Sequence, residues 1–129
     1  MFYSSDIIAT SEINGQVILA GGRKVSKGLL SSEVFDQRNM TSCTVDRIPS
    51  GLQFASGIFD METKDAYPMI CGGISDSGTV NNRCWKLRKS GDWTPVTAMK
   101  YERSHFTLNA INGSVIAVGG KNSMHGGVL

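Results

Sequence analysis

The chain lacks the features that mark several common classes of protein. Among its 129 residues only two are histidine and three are cysteine, and no two cysteines have the CxxC spacing of a metal site. No apolar run approaches the ~18 residues of a membrane-spanning helix, and no signal-peptide pattern opens the chain. The net charge of +2 is too small to indicate a nucleic acid or a membrane surface. We therefore expect no cofactor, no metal, no nucleic-acid partner and no membrane contact.

The cysteines favour a reducing compartment. Cys43, Cys71 and Cys84 are an odd number, and Cys71 stands inside an apolar run, where a buried thiol behaves as a small apolar side chain. Disulfides are rare in the cytosol and the nucleus. We expect an intracellular protein, in the cytoplasm or the nucleus.

Motifs of catalysis are missing as well. None of the glycine-rich stretches has the pattern GxxxxGK[ST], so Gly119, Gly120 and Lys121 are interpreted as a strand-end turn and not as a phosphate loop. His105 could be grouped with a serine and an aspartate, but no nucleophile-elbow motif supports such a triad. His125 stands in a glycine-rich tail. The sequence predicts a protein that is not an enzyme.

What the sequence does contain is a repeat. Apolar runs that end in a glycine pair occur as VILAGG at 17–22, PMICGG at 68–73 and VIAVGG at 115–120. The first and third copies also share their lead-in, since INGQ at 13–16 stands 98 residues before INGS at 111–114. A period of about 50 residues is typical of propeller repeats.

Each repeat predicts antiparallel strands joined by short turns. The dipeptides Asn14-Gly15 and Asn112-Gly113 are strong hairpin signals, because both residues tolerate the positive φ of a type I′ turn. The predicted strands span 7–13, 16–20, 33–36, 42–48, 54–61, 67–71, 83–88, 92–98, 103–110 and 115–118. The predicted fold is all-β: two four-stranded antiparallel blades at about 4–49 and 53–99, a half blade at about 102–122 and a tail at 123–129.

Two aromatic residues recur after the glycine pairs. In the second copy Trp85 and Trp93 follow Gly72 and Gly73, and in the first copy Phe35 and Cys43 stand 50 residues earlier. This pattern, with its three glycine pairs, resembles the kelch repeat, the blade of the kelch β-propeller. The tryptophans would supply the large buried area that ties one blade to the next. The structural residues of the repeat are Gly21, Gly22, Phe35, Gly72, Gly73, Trp85, Trp93, Gly119 and Gly120.

The resemblance implies a protein-interaction module. In kelch adaptors the ligand face is built by the loops after the glycine pairs and by residues entering strand one. The candidate partner-binding residues are therefore Arg103, Ser104, Arg23, Lys24, Ser75, Asp76 and Asn81. Arg103 has two interpretations: it pairs with a carboxylate of a partner, or it ties neighbouring blades together.

The family resemblance leaves several functions open. Kelch proteins with a BTB domain recruit substrates to a cullin ubiquitin ligase, others bind actin, and the copper-radical oxidases related to galactose oxidase use kelch propellers too. We expect an unidentified protein partner, either a ligase substrate or actin, and consider the oxidase the least favoured alternative. A propeller closes with at least about four blades, so we also expect the remaining blades of a longer chain or, as an alternative, assembly from several copies.

Overall fold

A computed structural model describes residues 9–13, 15–24, 27–28, 30–60 and 67–122. These residues form β-strands joined by turns and contain no helix. The charged turn at 62–65 and the tail that contains His125 lie outside the described residues.

The first repeat forms a four-stranded antiparallel sheet. Strands β1 (Ala9–Ile13) and β2 (Gln16–Ala20) are followed by a short hairpin of β3 (Arg23–Lys24) and β4 (Lys27–Gly28), and then by β5 (Ser32–Asp36) and β6 (Thr41–Val45). The sheet order is β1-β2-β5-β6, so neighbours in the sequence are neighbours in space. We call it blade 1.

The second and third repeats follow the same plan. Blade 2 contains, in sheet order, β7 (Ser56–Asp60), β8 (Tyr67–Cys71), β9 (Cys84–Leu87) and β10 (Trp93–Val96). Blade 3 is the antiparallel hairpin of β11 (Thr107–Ile111) and β12 (Ser114–Val118). The described strands are not closed into a barrel. The predicted fold class is confirmed: an all-β chain of two four-stranded antiparallel sheets and half of a third.

The predicted hairpin turns form where the dipeptides indicated. Asn112 and Gly113 both have positive φ, 49° and 76°, and the flanking residues Ile111 and Ser114 pair with each other. In blade 1 the chain reverses between the paired residues Ile13 and Gln16, and Gly15 has φ 77°. Asn14 lies outside the described residues.

Successive blades are joined by a repeated pair of contacts. In the first two glycine pairs the second glycine donates its N–H to the carbonyl of the segment that enters the next blade: Gly22 to Leu52 at 2.9 Å and Gly73 to Arg103 at 2.9 Å. The residue that follows the accepting carbonyl then pairs with a residue of the blade that the segment enters, as Gln53 pairs with Ile74 of blade 2. The innermost strands β1, β7 and β11 lie side by side, so the sheets radiate from them as propeller blades do.

Left-handed residues interrupt two of the predicted strands. The first strand of blade 3 begins at Thr107 and not at 103, because Ser104 pairs with Lys121 and His105 has φ 53°. Blade 2 begins in the same way: Phe54 has φ 56° and the strand starts at Ser56. A residue in this conformation ends an extended run.

The alignment of the aromatic residues was wrong. Trp85 lies opposite Ile70, but the equivalent residue of blade 1, Leu19, lies opposite Glu33. Phe35 therefore corresponds to Leu87. The residue that corresponds to Trp93 is Ser42 and not Cys43, because Ser42 pairs with Phe35 as Trp93 pairs with Leu87. The glycine pairs stand 51 residues apart, and the connection after them is one residue longer in blade 2, so Trp85 stands 52 residues after its equivalent and the offset of 50 fails.

The expectation of a free, buried Cys71 thiol was also wrong. Cys71 is buried, but its sulfur is bonded to that of Cys84. The two residues face each other on β8 and β9, and their Cα atoms lie 4.1 Å apart. Cys43 is free and exposed. The cysteine argument for a reducing compartment therefore no longer holds, and the intracellular location stays a prediction.

Two apolar clusters fill the spaces between the blades. The cluster between blades 1 and 2 contains both tryptophans, which are 4% and 8% exposed, and its buried members are Ile18, Ala20, Ile48, Leu52, Ile70, Trp85, Leu87 and Trp93. The cluster between blades 2 and 3 contains Met69, Cys71, Cys84, Phe106 and Leu108. Each blade thus buries one face against its neighbour, as blades that cannot fold alone require.

Candidate functional site

The predicted binding residues belong to connections at one end of the strands. In an antiparallel meander, β2 ends where β5 begins, and the same holds for β8 and β9. The connections between them, together with the segments that lead into blades 2 and 3, leave the sheets at this end. We call this region the loop end, and it comprises residues 21–24, 27–28, 30–31, 46–55, 72–83, 97–106 and 119–122.

Arg103 is fixed at the loop end by its backbone and its side chain. Its carbonyl accepts the N–H of Gly73, and its own N–H donates to the carbonyl of Asn81 at 3.2 Å, so its backbone joins blades 2 and 3. Its Nη1 donates to the carbonyl of Gly119 at 2.7 Å, and the guanidinium carbon lies 5.9 Å from the centre of the Phe106 ring. The Nε atom is buried and has no hydrogen-bond partner among the described residues.

Ser104 is enclosed in the joint between the blades. It is 1% exposed, and its backbone exchanges hydrogen bonds with Lys121 at 2.8 and 2.9 Å. Its hydroxyl lies 3.0 Å from Nδ1 of His105. Because Ser104 is buried and paired with Lys121, it positions the segment that leads into blade 3, and its contact with a partner stays a prediction.

The two left-handed residues that precede blades 2 and 3 stack on each other. The ring centres of Phe54 and His105 lie 4.0 Å apart, with an angle of 19° between the ring planes. The backbone N–H of His105 donates to the backbone carbonyl of Phe54 at 3.0 Å. Desolvation and the nearby charge of Lys121 lower the pKa of His105 below its ordinary value. This stack was not predicted, since nothing in the sequence signals positive φ at either residue.

The loop after the second glycine pair is a compact turn. The backbone carbonyl of Ser75 accepts a hydrogen bond from the N–H of Gly78, and the N–H of Ser75 donates to the carbonyl of Thr79. Asn81 directs its side chain inward, because Nδ2 donates to the Gly73 carbonyl at 3.2 Å and Oδ1 accepts the N–H of Arg83 at 3.1 Å. Of the predicted contacts in this loop, Asp76 is exposed and Ser75 is half-buried.

Arg23 and Lys24 lie in the equivalent loop of blade 1. They form β3, which pairs with β4 so that Arg23 is opposite Gly28 and Lys24 is opposite Lys27. In blade 2 the bridge between Ile74 and Val80 closes the corresponding loop in the same way. The loops that follow the first two glycine pairs are thus short hairpins that rise from the same end of neighbouring blades.

The loop end concentrates positive charge. Its connections contain eight basic residues, Arg23, Lys24, Lys27, Arg47, Arg83, Lys100, Arg103 and Lys121. They contain only three acidic residues, Asp46, Asp76 and Glu102. The net charge of +2 hides this asymmetry, because acidic residues outnumber basic ones in the rest of the chain. Counting charge by connection instead of by chain could have found it.

The described residues contain no group of three or more histidine, cysteine, aspartate or glutamate side chains arranged to hold a metal ion. Within the same part of the chain, no helix is long and apolar enough to cross a membrane.

Comparison with models of known protein families gave no match, and neither did comparison with curated protein sequences.

Proposed function

We propose that the chain is a non-catalytic protein-interaction module of kelch type whose loop end binds an acidic segment of a partner protein. The observation that carries this proposal is the excess of basic residues in the connections of the loop end. A surface of one charge attracts a complementary partner and speeds its association.

Arg103 is the residue that we assign to direct recognition. Its Nη1 is oriented by the Gly119 carbonyl, and a guanidinium has five N–H donors, so one such bond leaves donors for a carboxylate. Orientation in advance reduces the entropy lost when a partner binds. The backbone of Arg103 already joins the blades, so the tie between blades does not depend on its charge alone.

The kelch resemblance extends the proposal to the kind of partner. A kelch-type module with this loop end serves as a substrate-recognition or scaffold domain, and its partner is the substrate of a ubiquitin ligase. Actin is the alternative protein partner. Both proposals rest on the resemblance of the repeats, whereas the preference for an acidic segment rests on the charge of the loop end.

A binding measurement with simple charged peptides tests the acidic preference. We expect fluorescence anisotropy to show binding of a labelled hexaglutamate peptide at low salt and no binding of hexalysine, with affinity falling as salt screens the charges. Replacing Arg103 by alanine should weaken binding about tenfold, as expected for losing a hydrogen bond to a charged group.

Two variants separate recognition from folding. Arg103→Lys keeps the charge but loses the planar fork, so we expect affinity between those of the wild type and Arg103→Ala. Arg38→Ala removes an arginine at the opposite end of blade 1, next to Asp36, and should bind hexaglutamate as the wild type does. Equal affinity of Arg103→Ala and the wild type, with unchanged thermal midpoints, would remove Arg103 from the site.

A further inference from the structure

A disulfide closes the loop that follows the second glycine pair. Cys71 ends β8 and Cys84 begins β9, so the bond stands at the base of the connection 72–83. The corresponding connection of blade 1 has Ala20 and Ser32 at its base, which lie opposite each other as the two cysteines do. The covalent closure is therefore a property of blade 2 and not of the repeat.

The closed loop holds the backbone of Arg103. Next to the disulfide, the N–H of Gly72 donates to the carbonyl of Arg83 at 2.9 Å. Two residues before Arg83, the carbonyl of Asn81 accepts the N–H of Arg103 at 3.2 Å. The N–H of Gly73 donates to the carbonyl of Arg103 at 2.9 Å. Both backbone groups of Arg103 are thus bonded to the loop that the disulfide closes.

The same loop holds the segment that precedes Arg103. The N–H of Met99 donates to the carbonyl of Asn82 at 2.8 Å, and Nδ2 of Asn82 donates back to the carbonyl of Met99 at 3.0 Å. A Cβ atom at Gly72 would lie 2.5 Å from the carbonyl oxygen of Arg103 and 3.0 Å from the methyl carbon of Met99. The segment 99–103 is therefore in close contact with the base of the loop.

The side chain of Arg103 lies on the apolar cluster that contains the disulfide. Cys71, Cys84 and Phe106 belong to one buried cluster. The guanidinium carbon of Arg103 lies 5.9 Å from the centre of the Phe106 ring, and its Nε atom is buried. The disulfide thus supports the backbone of Arg103 through the loop and its side chain through Phe106.

We propose that the bond between Cys71 and Cys84 is a redox switch of the loop end. The oxidised chain holds Arg103 in its binding position, and reduction loosens the loop 72–83 and weakens the binding of an acidic partner. This inference rests on the proposed function of the loop end. A crosslink restricts the chain that it closes, and a group held in place loses less entropy when it binds. Breaking the crosslink therefore lowers the affinity without removing a basic residue.

The reductant that operates the switch is a dithiol. One of its thiolates attacks a sulfur of the bond and forms a mixed disulfide, while the other cysteine leaves as a thiolate and takes up a proton. The second thiol of the reductant then loses its proton and displaces the remaining cysteine. Two electrons pass to the chain, which gains two thiols, and the reductant becomes a disulfide. Both cysteines are buried, so the exchange requires an opening of the joint between blades 2 and 3.

The test compares the oxidised and reduced forms of the full chain. The chain carries Cys43→Ser, which removes the free, exposed thiol. Labelled hexaglutamate is the probe, and dithiothreitol is the reductant. We expect anisotropy to show that the reduced form binds at least about fivefold more weakly, the lower end of couplings between sites. A control that also carries Cys71→Ala and Cys84→Ala should bind as the reduced form does, with or without dithiothreitol.

Arg103→Ala identifies the residue through which the switch acts. In this variant, reduction should change the affinity by less than about twofold, since effects that pass through one residue are not additive. Arg38→Ala, at the opposite end of blade 1, should respond to reduction as the parent chain does. Saturating hexaglutamate should in turn shift the equilibrium with dithiothreitol towards the oxidised chain, by the factor that separates the two affinities.

Hydrogen exchange separates a switch from unfolding. Reduction should speed exchange of the amides that join the loop to the segment 99–103, those of Gly73, Met99 and Arg103. The amides of Gly22 and Ile48 make the corresponding bonds of blade 1 and should exchange as before. Faster exchange in both blades would mean that reduction unfolds the chain, and would overturn the proposal.

The two readouts also separate this inference from the proposed function. Equal binding of hexaglutamate by both forms would overturn the switch and leave the acidic partner in place. If neither form binds hexaglutamate, the acidic partner is wrong, and exchange at Met99 and Arg103 decides alone. Unchanged exchange there would show that the disulfide does not control this segment.

Discussion

Single residues decide how the blades hold together, and Trp93 is the most consequential of them. Its ring is buried between blades 1 and 2, and its indole N–H reaches the Ser32 hydroxyl, which in turn donates to the Asp46 carbonyl at 2.6 Å. Residues 61 positions apart are thus joined by one hydrogen bond. A long-range bond of this kind orients one sheet relative to the next, which apolar contact alone does not.

Substitutions at Trp93 should separate packing from hydrogen bonding. Trp93→Ala should lower the free energy of unfolding by about 3–5 kcal/mol, because it removes a buried ring. Trp93→Phe should cost less, and Ser32→Ala should cost about 1 kcal/mol through the lost hydrogen bonds. Urea unfolding followed by circular dichroism measures all three. An unchanged midpoint for Trp93→Ala would contradict its place in the core.

Gly72 and Gly119 occupy equivalent positions in different surroundings, which yields a second prediction. Both have positive φ, 65° and 73°, but a Cβ atom at Gly72 would lie 2.5 Å from the Arg103 carbonyl, whereas one at Gly119 meets nothing within 4 Å. Gly119→Ala should therefore cost about 1–2 kcal/mol for the left-handed backbone alone.

Gly72→Ala adds a steric clash to the same backbone cost. We expect a total loss of about 2–4 kcal/mol, since overpacking contributes a further ~1–3 kcal/mol. Thermal or urea unfolding of the two variants measures the difference. Equal losses for both would mean that the segment at Arg103 does not pack on the second glycine pair.

His105 predicts a pH dependence of stability. Its pKa in the folded chain is lowered from the ordinary 6.5 by desolvation and by Lys121, so the unfolded chain binds a proton more readily. The contribution of neutral His105 to the free energy of unfolding should therefore be fully present above pH 6.5. It should be lost as the pH falls below 6.5 and through the lower pKa of the folded chain. His105→Asn removes the titrating ring and retains a residue that tolerates positive φ. Unfolding between about pH 5 and 8 should show a flatter profile for the variant; parallel profiles would contradict this role.

At the scale of elements, the sequence predicted the strands better than their registers. Apolar runs that end in glycine pairs, and the Asn112-Gly113 turn, carry local backbone preferences, so their positions could be read directly. The alignment of Phe35 with Trp85 used an offset of 50, but the glycine pairs stand 51 residues apart and a longer loop in blade 2 makes the offset of this strand 52. A change in loop length shifts a strand and leaves no local signal. The left-handed conformations of Phe54 and His105 arise from contacts between blades, which no single segment encodes.

The disulfide was missed for a related reason. Cys71 and Cys84 are 13 residues apart, and only the pairing of β8 with β9 brings them opposite each other. The sequence placed Arg103 and Ser104 together where the chain enters a strand, but it did not predict that Ser104 would be buried. Exposure of a loop residue depends on the neighbouring blade and not on its own type.

The disulfide between β8 and β9 should stabilise blade 2. Closing a loop of this length restricts the unfolded chain, and replacing both cysteines by alanine should cost about 3 kcal/mol. Thiol titration of the denatured, unreduced chain should find one free thiol, Cys43, and three after reduction. Three free thiols without reduction in protein purified from an oxidising compartment would contradict the pairing.

At the scale of the whole molecule, equivalent residues of successive repeats have different neighbours. The face of β2 that carries Ile18 and Ala20 is buried by blade 2, and the equivalent face of β12 exposes Ile116 and Val118 by 42% and 56%. The two faces thus carry apolar residues at equivalent positions, and they differ in what lies against them. This face and the basic loop end are separate surfaces of one array of blades.

The stacking of blade 2 on blade 1 is tested most directly by nuclear Overhauser spectroscopy on the indole proton of Trp93. We predict cross-peaks from this proton to the β protons of Ser32, together with slow exchange with water. Trp85 has no comparable bond to Ser32, so its indole proton should lack that cross-peak. A Trp93 indole proton that exchanges freely with water and shows no contact to Ser32 would contradict the stacking of the blades.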